Sequence, residues 1–585
     1  MLQYEGKHSV LIGEDVMNLL PKPQSIKITD GFLKSKKLNI VNKCTDNRIE
    51  KHLSGFEKDN EGAMLTISHK DTSSEGYTLK ITEDSVEIKG ESVAGAFYGL
   101  QTLKQLFEAD SVPCLVISDC PDMEHRGFYH DITRGKVPKL STLKELADTL
   151  AYCKMNSLQL YMEHTFPFKE LGNLPYELGC LTPDEIKELD DYCYDRFIEL
   201  IPSIPTFGHV YELLEREEYK DLQCAEDYKG DKIFWRQRMN HHTIDPLNPK
   251  SVGIITSMID QIYPLFRTDK FNICGDETFD LTNGKYKDMD TGKLYIDFIN
   301  KIISHLKEKG KKIMMWGDIL LQSPETITEI PEDTIFLNWD YAAEPDEDKI
   351  KTFASLNRIQ YICPGTTTWS RFCESISIAG KNITGAMDYA YKYGVKGMIN
   401  TNWGDYGTPC TLELSMYGIF LGGAKAWNKS TDIDEEFHNS LTALVYKNDK
   451  AIEYIGLLDE AHTIRYEFAF NCLVHTYSDY VHGRKINPAP PSEEQILASR
   501  EICHKIIADL SGEVWERDVF RQEIIIGAEA VAVMGELLAK AAGYGIEPTV
   551  SVPLWLEKFK ASWLERNKPS ELGKLVEMYE FMDKM

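Results

Sequence analysis

Between about residues 126 and 425 the chain alternates short apolar runs with amphipathic helical stretches, eight times over. "GFYHDI" precedes a helical pattern from about Leu140 to Lys154, and "SLQLYM" precedes "TPDEIKELDDYCYDRFIEL". "LIPSIPTF", "KFNICG", "KKIMMW", "TIFLNW", "IQYICP" and "VKGMINTNW" continue the series, each followed by a helical or mixed segment. Thr182, Pro183 and Glu185 carry the capping-box signature of a helix start. Strands apolar on both faces and separated by helices belong to parallel sheets, because crossover helices cover both sides. Eight such units over roughly 300 residues fit a (β/α)₈ barrel. The competing architecture, an open doubly wound sheet, lacks its glycine-rich first turn here.

The flanks read differently. Residues 1–122 form a small α+β unit in which "GYTLKIT" and "SVEIKG" pair around a turn and "SVAGAFYGLQTLKQLFE" is a helix. Residues 123–428 are assigned to the barrel and 429–585 to an α-helical C-terminal domain, with "INPAPPSEE" a linker and Ser492 a helix cap. A net charge of −27 disfavours nucleic-acid or anionic-membrane partners. The start has no basic segment followed by an apolar core, and no apolar run is long enough to span a bilayer, so a cytoplasmic protein is expected. Thirteen scattered cysteines without CxxC spacing read as reduced thiols, and His241-His242 lacks further ligands at zinc spacing. Neither a metal nor a cofactor is expected.

Reactive groups of such a barrel collect at the C-terminal ends of its strands. Those exits carry Glu163-His164, Gly208-His209, Asp276-Glu277, Trp316 with Asp318, Trp339-Asp340, Trp369, and Trp403 with Asp405; Arg126 to Asp131 surround the first strand. Four of the nine tryptophans thus sit at consecutive exits, three with an Asp within two residues. Aromatic faces beside carboxylates suit a carbohydrate, whose C–H face the ring covers while acids take the hydroxyls.

The adjacent acids Asp276 and Glu277 are the sharpest feature. Alternation along "KFNICGDE" puts Asn272, Cys274 and Asp276 on one face, with Phe271 and Ile273 towards the helices. Ionised Asp276 would then raise the cost of ionising Glu277, favouring a protonated acid able to protonate a leaving oxygen. Neighbouring residues cannot easily flank a sugar as the two carboxylates of ordinary retaining glycosidases do, about 5 Å apart. A same-side pair suits a substrate-assisted route, in which the sugar's own 2-acetamido group attacks the anomeric carbon.

With these motifs the chain resembles glycoside hydrolase family 20, the β-N-acetylhexosaminidases. "ESVAGAFYGLQTLKQL" is similar to the end of the family's small domain, "DCPDMEHRGFYHDITR" to its barrel entry and "FNICGDE" to its signature strand. The resemblance implies that Asp276 orients the acetamido group, Glu277 is the general acid/base and Arg126 holds sugar hydroxyls. It implies a Glu163–His209–Glu277 relay, pocket-wall roles for Trp316 and Trp339, a platform role for Trp403, and a grip on outer hydroxyls by Asp405. Asn272 and Cys274 stand where the family has His and Gly, and Glu163 and Asp405 where it has Asp and Glu. "CPGTTTWSRF" lacks the family's strand-7 Tyr, leaving Trp369 at that exit. The implied activity is exo-acting, retaining removal of terminal β-linked GlcNAc or GalNAc through an oxazolinium intermediate. The alternatives are a non-catalytic carbohydrate-binding barrel and a two-carboxylate glycosidase using Glu277 with Glu163 or Asp405.

Overall fold

The computed structural model describes residues 11–12, 15–225, 238, 242–463 and 491–584. The helical pattern expected across "EAHTIRYEFAFNCLVHTYSDYVHGRK" falls mostly outside these residues, as do most of the Pro-rich linker and His241.

The N-terminal unit is a six-stranded mixed sheet, ordered Ser25–Phe32, Pro113–Asp119, Tyr77–Ile81, Ser85–Gly90, Ala63–His69 and Leu38–Asn42. Tyr77–Ile81 and Ser85–Gly90 pair antiparallel, as their alternation predicts. The helix Val93–Leu106, capped by Ser92, packs on this sheet and is buried along most of its length.

Eight parallel strands then close a barrel: His125–Asp131, Ser157–Tyr161, Glu199–Ser203, Lys270–Asn272, Lys312–Trp316, Ile335–Trp339, Gln360–Cys363 and Gly397–Asn402. Register pairs of the last strand with the first, such as Ile399 with Gly127, complete the ring. The Thr182 capping box forms as the sequence dictates. Phe271 and Ile273 join the core beneath the outer helices, whereas Cys274 joins an interior cluster with Tyr129, Trp316 and Trp403. Side chains therefore fill the barrel, and only its C-terminal rim can hold a ligand.

The bottom of the barrel is sealed against the small domain, and it corrects the expectation for Arg126. This residue stands at the start of the first strand, fully buried, far from the rim to which that strand leads. Its guanidinium donates to the carbonyls of Lys154 (2.9 Å), Met123 (2.8 Å) and Glu124 (3.1 Å) and pairs with Glu75 of the small domain at 2.6 Å. Lys154 pairs with Asp119 beside it, and Trp427 Nε1 donates to the same carboxylate. Arg126 thus joins the small domain to the barrel, at the opposite end of the strand from the rim where the expected sugar contact would lie.

Helices Glu493–Leu510, Asp518–Ala542, Val552–Arg566 and Leu572–Lys584 follow the barrel, the first opening on a Ser492 capping box. The turn between the last two reaches back to the loop leaving the first barrel strand. Lys568 N donates to Val137 O at 2.8 Å and Lys139 N to Arg566 O at 3.0 Å. The C-terminal helices thereby brace a loop that begins at the pocket. No described helix is long and apolar enough to cross a membrane.

Candidate active site

Strand exits place nine residues around one rim cavity of about 150 Å³: Arg134, Asp276, Glu277, Trp316, Trp339, Tyr341, Trp369, Trp403 and Asp405. A larger cavity of about 280 Å³ lies between the small domain and the segment near Lys447, but the acids and aromatics converge on the rim, where barrel chemistry is located.

The fourth strand ends early, and its last residues leave the extended conformation: φ is +55° at Cys274, +85° at Gly275 and +47° at Glu277. Strict alternation therefore stops before Asp276. The turn delivers both acids to one cavity, which simple alternation gives to only one. Tyr295 donates to Gly275 O at 2.7 Å to fix it. Gly208 is required opposite, since a Cβ there would lie 2.5 Å from Asp276 O.

His209 sits behind the pair with Nε2 3.4 Å from Asp276 Oδ2 and 3.3 Å from Glu277 Oε2. Its other nitrogen lies 3.3 Å from Arg134 Nη2 and accepts a hydrogen bond from it only when bare. Burial lowers the ring's proton affinity, but the charge of Asp276 and hydrogen bonding to both acids outweigh it and push the pKa up to about 10. In either protonation state Nε2 presents a proton to both acids. The trio has the proximity of a metal site, yet a cation needs that nitrogen bare and its proton moved to Nδ1, where Arg134 stands. It fits a proton network better than a metal ion.

Arg134 is the residue that sequence reasoning missed, although "HDITR" places it just past the first strand. Nη1 lies 3.3 Å from Asp405 Oδ1, Nε 3.6 Å from Glu163 Oε1, and the guanidinium lies over the rings of Tyr161 and Trp403. Asp131 fixes the loop: its carboxylate accepts from Arg134 N at 3.1 Å and from Gly404 N at 3.0 Å, tying the first exit to the eighth. Glu163 accepts from Tyr161 at 2.9 Å and has no hydrogen bond to His209. Arg134 stands between them, so the expected direct Glu163–His209 link is replaced by one through a guanidinium. Burial raises the Glu163 pKa against the opposing charge of Arg134.

The aromatic wall has two parts. Trp316 and Trp403 lie with ring centres 5.7 Å apart over Tyr129. Trp339 stacks on Tyr341 at 5.1 Å, Tyr341 meets Trp369 at 4.9 Å, and Trp403 Nε1 donates to Tyr341 Oη at 2.6 Å. Tyr341, two residues beyond the sixth strand, was also missed; its position after Trp339 was the available signal.

Residues 123–372 match the family model for the glycosyl hydrolase family 20 catalytic domain, and residues 16–120 match that family's domain 2. The chain belongs to glycosyl hydrolase family 20. Among its relatives, a beta-hexosaminidase of Porphyromonas gingivalis is 28% identical over 283 residues, 42% of this chain and 36% of that protein. The human beta-hexosaminidase subunit beta is 27% identical over 297 residues, 45% of this chain and 51% of that one. The matched segments thus span about a third to a half of these two relatives. The fold is shared more widely: Flavobacterium johnsoniae chitobiase aligns over 96% of this chain and 99% of its own, with a TM-score of 0.61 at 18% identity. An exo β-N-acetylglucosaminidase of Vibrio harveyi aligns over 75% and 78%, with a TM-score of 0.60 at 18% identity.

Proposed function

We propose that the pocket removes terminal β-linked N-acetylhexosamine residues, GlcNAc or GalNAc, with retention of configuration. The observation that carries this reading is that two adjacent acids reach one cavity from the same strand end. Glu277 is the general acid: its proton passes to the glycosidic oxygen as the C1–O bond breaks. The substrate's acetamido oxygen forms the new bond to C1, and Asp276 steadies the resulting oxazolinium cation. Water then attacks C1 as the bond from C1 to the acetamido oxygen breaks, which restores the amide, and the water's proton returns to Glu277. His209, behind both acids, keeps their carboxyl groups aligned.

Arg134 and Asp405 are assigned to the outer hydroxyls, since charge-assisted donors and acceptors bind them with direction. Trp316, Trp339, Trp369 and Trp403 supply flat faces for the ring. Tyr341 is the proposed partner of the acetamido oxygen in a chain whose seventh strand supplies Trp369. Glu163 does not line the cavity, which disfavours pairing it with Glu277 as a second catalytic carboxylate. The named activities of the relatives agree with this assignment.

A panel of aryl β-GlcNAc, β-GalNAc, β-glucoside and β-galactoside tests the reading. Turnover is expected only for the acetamido sugars, and Glu277→Gln is expected to lose about 10²–10⁴-fold where the leaving group needs a proton. Comparable hydrolysis of glucoside and β-GlcNAc rejects it, because a glucoside has no internal nucleophile.

A further inference from the structure

Glu277 holds φ at +47°, a region that a non-glycine residue keeps only when its surroundings hold it there. Two contacts do so. Its N–H donates to Asp318 Oδ2 at 3.1 Å, and its carbonyl accepts from Phe279 N at 2.7 Å. Asp318 comes from a different strand: it follows Trp316 and Gly317 at the fifth exit, so this contact ties the acid's peptide to the neighbouring wall. The second Asp318 oxygen is shielded from solvent and has no hydrogen-bond partner among the described residues. A buried carboxyl group with one unpaired oxygen is costly when ionised. Burial and the charge of Asp276 push its pKa up to about 7, while the Glu277 N–H opposes that shift.

We propose that Asp318 is a positioning residue for the acid: its carboxyl group locks the Glu277 peptide in the left-handed conformation that aims Glu277 into the pocket. Return of φ to negative values would swing that side chain off its line to His209. The inference rests on the reading of Glu277 as general acid and adds what sets its direction. Asn at position 318 preserves an acceptor oxygen and a neutral group, whereas Ala removes both.

The test compares two β-N-acetylglucosaminides, one with a 2,4-dinitrophenyl leaving group that needs no proton and one with an alkyl group that does. Asp318→Ala is expected to lower kcat on the alkyl substrate about tenfold or more and on the dinitrophenyl substrate less than about threefold, with KM little changed. Asp318→Asn should recover most of that loss. Equal losses on both substrates, no loss on either, or an Asn variant as impaired as Ala would each overturn the proposal. Should the Ala variant not fold, as judged by circular dichroism, Asp318→Glu displaces the same carboxyl group and carries the same pair of outcomes. Glu277→Gln, run in parallel, separates the two levels. If it shows no leaving-group selectivity, the reading of Glu277 itself fails; if it does while Asp318→Ala does not, only the inference falls.

Discussion

Arg126 at the bottom of the barrel and Arg134 at its top bracket the same strand, yet they meet opposite surroundings. Arg126 directs Nε, Nη1 and Nη2 to three carbonyls, a tyrosine and Glu75. Around the rim that Arg134 faces, several shielded atoms have no hydrogen-bond partner among the described residues: its own Nε, Glu163 Oε2, Trp316 Nε1 and Asp318 Oδ1. Left-handed non-glycine residues gather there too, at His209, Cys274, Glu277 and Asp405. Buried polar atoms are normally paired and left-handed side-chain-bearing residues are strained, so this end of the strand carries costs that the bottom does not. The bottom is a finished joint; the top is where the proposed function places the sugar.

The same substitution at each end tests this contrast most severely. Arg126→Met is expected to destabilise the protein by about 3–5 kcal/mol, the cost of breaking a buried pair, in denaturant unfolding. Activity per folded molecule should survive. Arg134→Met should lower kcat/KM about 10–100-fold per folded molecule through lost charge-assisted hydrogen bonds, in addition to the stability lost with its own buried pairs to Asp131 and Glu163. An equal loss of activity per folded molecule at both ends would erase the distinction.

A smaller effect sharpens it at a third place, where the C-terminal helices meet the barrel. Glu523 is buried, and desolvation together with the nearby Glu413 pushes its pKa up to about 7, despite a hydrogen bond from Ser562. A carboxyl raised above its unfolded value of about 4.3 favours folding at low pH, and that contribution is lost as pH climbs through about 7. Glu523→Gln should therefore stabilise the protein at pH 8 by on the order of 3 kcal/mol and scarcely at pH 4. Thermal unfolding at the two pH values reads this directly, and an equal shift at both would remove the charge argument.

Legibility followed the range of the forces involved. Periodicity disclosed the barrel because each strand and helix must bury a face, whatever its neighbours. The strand-end rule likewise brought Asp276, Glu277, Trp316, Trp339, Trp369, Trp403 and Asp405 to one rim, where the cavity has them. It faltered at Arg126, which belongs to a strand's beginning, and passed over Arg134 at its end. The distinction rests on where six or seven residues start and stop pairing, and neighbouring strands set that limit.

Local pattern by itself determined the alternation of strands and helices, the caps at Thr182 and Ser492, and the concentration of acids and tryptophans at exits. Tertiary structure decided which arginine faces the cavity, that a guanidinium stands between Glu163 and His209, and that Asp318 grips the Glu277 peptide. Those contacts join residues far apart in the chain, through backbone turned out of its regular conformation. Their energies depend on the closed ring of strands, and no short stretch of sequence contains them.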